Sequence, residues 1–323
     1  MKYFTNFSAA LMAAVLMIHG ASYAAEKYPQ RPIRVIVPFP PGGSNDIVSR
    51  MVGAQLAERL GRSVVIDNRG GAGGRIGYEI AATSAPDGYT LLVISAAFAF
   101  TPALHKLPFD PAKAFIPVTM LGRGANSLAI FPGLPVHSTK ELVALAKAKP
   151  GQLNYGSAGM GSFVHLGSEM FRIMAGINLV HVPFKGGGPA TLAAVAGQTE
   201  LIIGTLIQAL PHVRTGRLRL LGVGGSKRLA ILPDVPTIAE SGVPGYEAYN
   251  WWGFVVPAGT SGAITKLLHS ELTAVIASPE VQKWFSSEGA ESVSKTSEEF
   301  RQWILAETVK WGKVVQQAGI KAE

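Results

Sequence analysis

Apolar and polar positions alternate in two registers along this chain. Short runs rich in Val, Ile and Leu, namely "IRVIVPF", "SVVIDN", "YTLLVIS", "SLAIF", "LVHVPF", "LIIGT", "LRLLGV" and "GFVVP", read as strands. Between them lie stretches with helical spacing. "NDIVSRMVGAQLAERLG" places Ile47, Met51, Ala54 and Leu56 or Ala57 on one face and stops at Gly61. "KELVALAKAK" and "SFVHLGSEMFRIMAG" repeat the pattern. After "GFVVPAG" come two long helical patterns, 262–286 and 297–318, the second carrying Phe300, Trp303, Ile304, Trp311, Val314 and Val315 at helical spacing as a face that packs onto a core. Near-continuous apolar strands separated by helices imply an α/β protein with parallel sheets covered on both faces.

Three strand–helix junctions share a feature. "PFPPGGSNDIV", "YGSAGMGSFVHL" and "PFKGGGPATL" each put glycines directly ahead of a helix. Glycine lets the backbone approach a ligand closely, and the unpaired N–H groups of a helix start attract negative charge. Ser44 or Asn45 and Ser162 suit the N-cap, and Pro189 suits a first helical turn. One such junction serves an ordinary turn as readily as an anion site; three in one chain raise the weight of the anion site.

Composition narrows the classes. At 323 residues, 48% hydrophobic and 15% charged, the chain can bury a large core divided between two domains. Its net charge of +8 is spread over isolated Lys and Arg, without the basic stripe and interleaved aromatics of a nucleic-acid binder. Cysteine is absent, which removes thiol nucleophiles, thiolate metal sites and a lipoprotein anchor. Lys2, the apolar stretch Phe7 to Ile18 and the small residues around Ala24 read as a signal peptide over residues 1–24, cleaved after Ala24 or Ala25, with export of the remainder to the periplasm.

Recognisable catalytic sets are missing. Ser44-Asn45-Asp46 stand where a Walker loop needs Lys and Ser or Thr, and "PPGGSND" lacks the dinucleotide spacing. Tyr155 breaks a nucleophile elbow around Ser157, and His165, His181 and His212 read as isolated packing or surface residues. No metal or cofactor is called for. An exported α/β protein with glycine-lined helix starts and no catalytic set reads as a solute binder that closes around its ligand.

The stretches "YPQRPIRVIVPFPPGGSNDIVSRMVGAQLAERLGRSVVIDNRGGAGGRIG", "APDGYTLLV", "LPFDPAKAFIPVT", "LNYGSAGMGSFVHLGSEMF", "HVPFKGGGPA", "ALPHVRTGRLRLLGV" and "LPDVPTIAESGVPGYEAYNWWGFVVPAGT" resemble the substrate-binding proteins of tripartite tricarboxylate transporters, the Bug-type periplasmic receptors. The resemblance covers essentially the whole chain after the signal segment. It implies a two-lobed type II periplasmic-binding-protein fold, each lobe a mostly parallel sheet flanked by helices, with the ligand cleft between lobes. Lobe one would take residues 25–125 and 248–323, and lobe two 126–247. The ligand implied is a small carboxylate, held mainly by backbone amides and small hydroxyls, and the partners are permease subunits of a membrane transporter; the receptor would act as a monomer.

Carried over motif by motif, Phe39, Gly42, Gly43, Ser44 and Asp46 belong to the first-lobe loop, Ser95 and Ala96 end the third strand, and Ser157, Gly161 and Ser162 form the facing loop. Gly42, Gly43 and Gly161 would offer N–H groups, and Ser44, Ser95, Ser157 and Ser162 hydroxyls. Asp46 would organise its loop, and Lys185 would be a structural charge. One departure bears on the ligand: Gly204 stands where many members carry Asp, and neither Gly204 nor Thr205, the last expected site residue, supplies an acid for an ammonium group. A plain carboxylate is therefore expected over an amino acid. The apolar "AAFAF" segment, Ala96 to Phe100, points to an aromatic or partly hydrophobic acid. Two rival readings remain, a ligand sensor presenting its closed form to a signalling partner and an exported enzyme using the same anion site.

Overall fold

The computed structural model describes residues 28–317, 319 and 320; the expected signal segment and its cleavage site lie outside the described residues, as does Ala318. Each of the eight apolar runs read as a strand forms one: β1 (Ile33–Val37), β2 (Val64–Asn68), β3 (Thr90–Ser95), the end of β4 (Phe115–Ile130), β6 (Val180–Pro183), β7 (Leu201–Thr205), β8 (Arg219–Val223) and β9 (Tyr249–Pro257); β5 (Asn154–Ser157) and a short β10 (Ala290–Ser292), neither among those runs, form besides. The helices are α1 (Ser44–Leu60), α2 (Arg75–Ala82), α3 (Ala96–Leu104), α4 (Thr139–Ala148), α5 (Phe163–Ala175), α6 (Gly187–Val195), α7 (Leu206–Arg214), α8 (Gly262–Ala277), α9 (Pro279–Ser287) and α10 (Ser297–Gln317).

Strand order is β2-β1-β3-β9-β4-β7-β5-β6, with β8 and β10 also paired to β4. The sheet is mixed. The outer strands β2-β1-β3 and β6-β5-β7 pair in parallel through crossover helices, while every pairing of β4 and the β3–β9 pairing are antiparallel. The antiparallel element has a topological cause, because β9 is the chain's return strand and enters beside β3 from the opposite end.

Strand β4 joins the two halves. It pairs with β9 over Phe115 to Ala125, then with β7 over Asn126 to Ile130. Only its end reads as a strand in the sequence, because Pro117, Gly122 and Gly124 interrupt the apolar run. Irregular register between Pro117 and Thr119, and between Met120 and Gly122, accommodates those residues without ending the strand.

Three other expectations shift. The long pattern over 262–286 is two helices, because Ser278 caps α9 by accepting from Val281 N and Pro279 occupies its first position. The inward face of α1 is Val48, Val52 and Leu56, one step round from Ile47, Met51 and Ala54; Gly53 lets that face approach Val64 and Ile66 of β2. Finally, α3 begins where the sequence reads only the end of a strand, since no turn residue separates Ser95 from Ala96.

The C-terminal helix locks the core. Trp251 Nε1 and Trp311 Nε1 both donate to Glu307 Oε2, at 3.0 and 2.9 Å. Trp311 meets Phe100 of α3 and Phe163 of α5 edge-on, at centroid distances of 5.4 and 5.8 Å. The tryptophans of α10 are thus packing residues.

Candidate functional site

Five of the described helices begin at one cavity. Helices α1 and α3 follow β1 and β3; α5, α6 and α7 follow β5, β6 and β7. The space between their first turns is lined by Phe39, Gly43, Ser44, Asn45, Ser95, Ala97, Ala158, Ser162, Phe163, Val164, Gly187, Thr205, Gln208 and Asn250. Among these there is no ionisable side chain. The first turns of α3, α5, α6 and α7 carry no acid, and Asp46 in the first turn of α1 is paired with Arg50; such positive helix ends suit an anionic guest, because first-turn N–H groups have no intrahelical acceptor.

The hydroxyls are set as donors. Ser44 Oγ accepts from Asn250 Nδ2 (3.4 Å) and Trp252 Nε1 (3.3 Å). Ser95 Oγ accepts from Asn45 Nδ2 at 3.3 Å, and Ser162 Oγ accepts from His165 N at 3.2 Å. With acceptor positions engaged by protein donors, each of these serines retains its own proton for a guest. Ser162 is the N-cap of α5; on α1 the cap position falls to Gly43, so Ser44 is the first helical residue.

Of the expected site residues, Phe39, Gly43, Ser44, Ser95, Ser162 and Thr205 line this cavity, and the other five do not. Gly42 N donates to Asp46 Oδ2 (3.0 Å) and Gly161 N to His165 Nδ1 (3.3 Å), so neither amide is available to a guest. Ala96 N donates to Asn250 Oδ1 at 3.3 Å. Ser157 is fully buried; its Oγ meets His181 Nε2 at 2.5 Å and accepts from Gly159 N at 3.1 Å. Asp46 also takes bonds from Asn68 and Arg50. Burial alone would push its carboxyl up, yet the bonds from Arg50, Gly42 and Asn68 hold it below the usual carboxylate range. Lys185 lies in a larger outer cavity with Pro40, Pro41 and Gly70 to Gly74, which shares Phe39 and Ala158 with the inner one.

The "AAFAF" expectation is corrected. Phe98 and Phe100 point into the core, against Tyr78, Phe115 and Trp311, and only Ala97 of that segment reaches the cavity. The apolar wall comes instead from Phe39, Ala158, Phe163 and Val164. Sequence reading also missed Asn45, Gly187, Gln208 and Asn250. Asn45 and Gly187 sat inside stretches already singled out for their glycines. Gln208 and Asn250 carried no local signal, since the fold brings them from the first turn of α7 and from the return strand β9.

Behind α5, His165 and His181 stack at 4.3 Å between ring centroids, and His181 stacks on Tyr155 at 5.0 Å. Burial pushes the His165 imidazole down to about 4, and His181 beside it adds to the shift while Glu169 opposes it. Burial also lowers His181, against the pull of Glu169. Both shifts favour the neutral ring. Tyr155 Oη donates to Glu169 Oε1 at 2.7 Å, and Arg172 closes the group on the other side of Glu169. The cluster braces the Ser157–Ser162 loop from behind.

A sequence description of the tripartite tricarboxylate transporter family receptors matches residues 48–320. The chain belongs to that family. BugT of Bordetella pertussis is 38% identical to this receptor over 305 residues, spanning 94% of each chain. Among solved structures, a R. palustris protein with adipate superposes with a TM-score of 0.89 at 34% identity, over 92% of this receptor and 100% of that chain. MatC from Rhodopseudomonas palustris with bound malate gives 0.83 at 31% identity, over 89% and 100%. The receptor thus has the two-lobed α/β fold of periplasmic binding proteins, and its family is one of solute-binding receptors rather than enzymes.

Proposed function

We propose that this receptor captures a small carboxylate between its lobes in the periplasm and delivers it to permease subunits of a tripartite tricarboxylate transporter. The observation that carries this reading is the convergence of five helix starts and three donor hydroxyls on a cavity lined without any ionisable side chain. Gly43, Ser44, Ser95 and Ser162 are the direct contacts; Phe39 and Thr205 complete the wall. Gly42, Asp46, Ala96, Ser157 and Gly161 hold the loops in place. The relatives solved with adipate and malate favour the same ligand class.

The lobes are residues 25–125 with 248–323, and 126–247; the change of partner along β4 between Ala125 and Asn126 supports that division. A ligand that touches both lobes stabilises the closed form, and one that touches a single lobe binds weakly. Residues 1–24 are the export signal, and the receptor works as a monomer. With no acid in the cavity lining, an ammonium group goes uncompensated, so a plain diacid binds in preference to the amino acid of the same length.

Calorimetry with glutarate and glutamate tests the ligand class. Glutarate binding tighter than glutamate is expected; tight glutamate binding with no diacid binding overturns it. Delivery is tested by co-purification with permease subunits, which the reading expects to depend on ligand. Ligand-dependent capture of a signalling receptor in their place would replace transport by sensing.

A further inference from the structure

Gln208 is the third residue of α7, and Thr205 is the N-cap of that helix. A Thr-x-x-Gln sequence at a helix start ordinarily forms a capping box, with the Gln reaching back to the N-cap amide. Here the two side chains bond each other instead. Thr205 Oγ1 donates to Gln208 Oε1 at 2.5 Å, which fixes the orientation of the amide and turns Nε2 away. Gln208 is only 8% exposed, it lines the inner cavity, and its Nε2 is buried without a hydrogen-bond partner. Across from it stands Gly187, the first residue of α6, where a Cβ would collide with Nε2. The glycine makes room for the amide, and the amide has nothing to donate to. A buried unpaired donor is costly, so one held in place at a cavity wall marks where a guest acceptor belongs.

The other donors decide which acceptor. One carboxylate offers about four lone-pair positions. The hydroxyls of Ser44, Ser95 and Ser162, together with the first-turn amides around them, saturate that number. Gln208 therefore addresses a second oxygen group. We propose that Gln208 is the specificity-determining residue of this receptor, donating from Nε2 to the second carboxylate of a diacid and thereby selecting diacids over monoacids. The inference rests on the carboxylate reading above. The neutral amide adds no charge of its own, so the second carboxylate also relies on the helix starts of α6 and α7 beside it.

Calorimetry on the full chain with succinate, glutarate and adipate tests this, each beside the monoacid of equal length, namely butyrate, valerate and hexanoate. The wild type is expected to bind its best diacid at least tenfold tighter than the matched monoacid. Gln208→Leu should weaken that diacid at least tenfold and the monoacid less than twofold, so the preference collapses. Gln208→Glu keeps an acceptor for Thr205 Oγ1, and with it the helix start, while removing the donor and adding a negative charge. It should lose the diacid even if the leucine variant fails to fold. A diacid preference that both variants retain overturns the role of Gln208 and leaves the carboxylate reading standing, as does a wild type that binds monoacids equally well. A wild type that binds none of the six acids overturns the carboxylate reading and this inference with it.

Discussion

Pro40 and Gly186 meet so closely that a Cβ added to Gly186 would lie 2.7 Å from Pro40 Cδ. Next to them, a Cβ on Gly188 would lie 3.1 Å from Pro41 O and 3.2 Å from the carbonyl carbon of Gly42. The loop "PFPPGG" after β1 and the loop "PFKGGG" after β6 therefore touch through backbone and proline ring, and their close approach depends on glycines at that contact.

Gly188→Ala separates closure from folding. Gly188 lies in the first turn of α6 without a left-handed φ, so alanine favours the helix by up to about 1 kcal/mol. Its methyl group nevertheless presses on Pro41 and Gly42. Ligand affinity is expected to fall several-fold while the thermal midpoint stays level or rises. A variant that binds normally would show that the loops part to accommodate it.

Ser44→Ala removes an acceptor that serves two buried donors, Asn250 Nδ2 and Trp252 Nε1. Each is left unpaired, and a cost of about 1–3 kcal/mol in denaturant unfolding is expected, together with weaker ligand binding. Ser44→Thr keeps the oxygen and should recover most of the stability.

Glu307→Ala strands the indole N–H groups of Trp251 and Trp311 and opens a space beside two large rings. Equilibrium unfolding should show a loss of at least about 2 kcal/mol. The ligand affinity of the folded fraction should change little, because neither tryptophan lines the cavity.

Acid should destabilise the receptor before its carboxylates titrate. Unfolded, His165 takes a proton near pH 6.5; folded, burial and the adjacent His181 hold that uptake off until about pH 4. The unfolded chain thus binds more protons in this window, and stability rises with pH across it. That stability is fully present above pH 6.5 and is lost as pH falls towards 4. His181, lowered by burial, adds in the same direction. Glu169 would be raised by burial, but bonds from Arg172 and Tyr155 bring it below the usual range, so its own loss comes only at the acid end. Unfolding midpoints at pH 7, 6 and 5 should fall in that order, and His165→Gln should flatten the trend. An unchanged slope in that variant would assign it elsewhere.

The sequence by itself determined eight of the strands in whole or in part, the α/β class and the two glycine-bearing loops that lead to Ser44 and Ser162. Those signals are local: apolar runs, helical spacing, and glycines beside Ser44 and Ser162. It did not reveal the first half of β4, because Pro117 and Gly122 break the apolar pattern and only pairing with β9 and β10 keeps that segment extended. Nor did it separate amides that face the cavity from those that do not. Gly42, Gly43 and Gly161 look alike as letters, yet Asp46 and His165 consume two of the three N–H groups. The placement of Phe98 and Phe100 in the core, and of Gln208 and Asn250 at the cavity, was likewise decided by tertiary structure. Side-chain direction at a helix start depends on what packs behind it, and bonding capacity depends on which neighbours have already claimed it. Both are properties of contacts between distant segments, which the order of residues does not display.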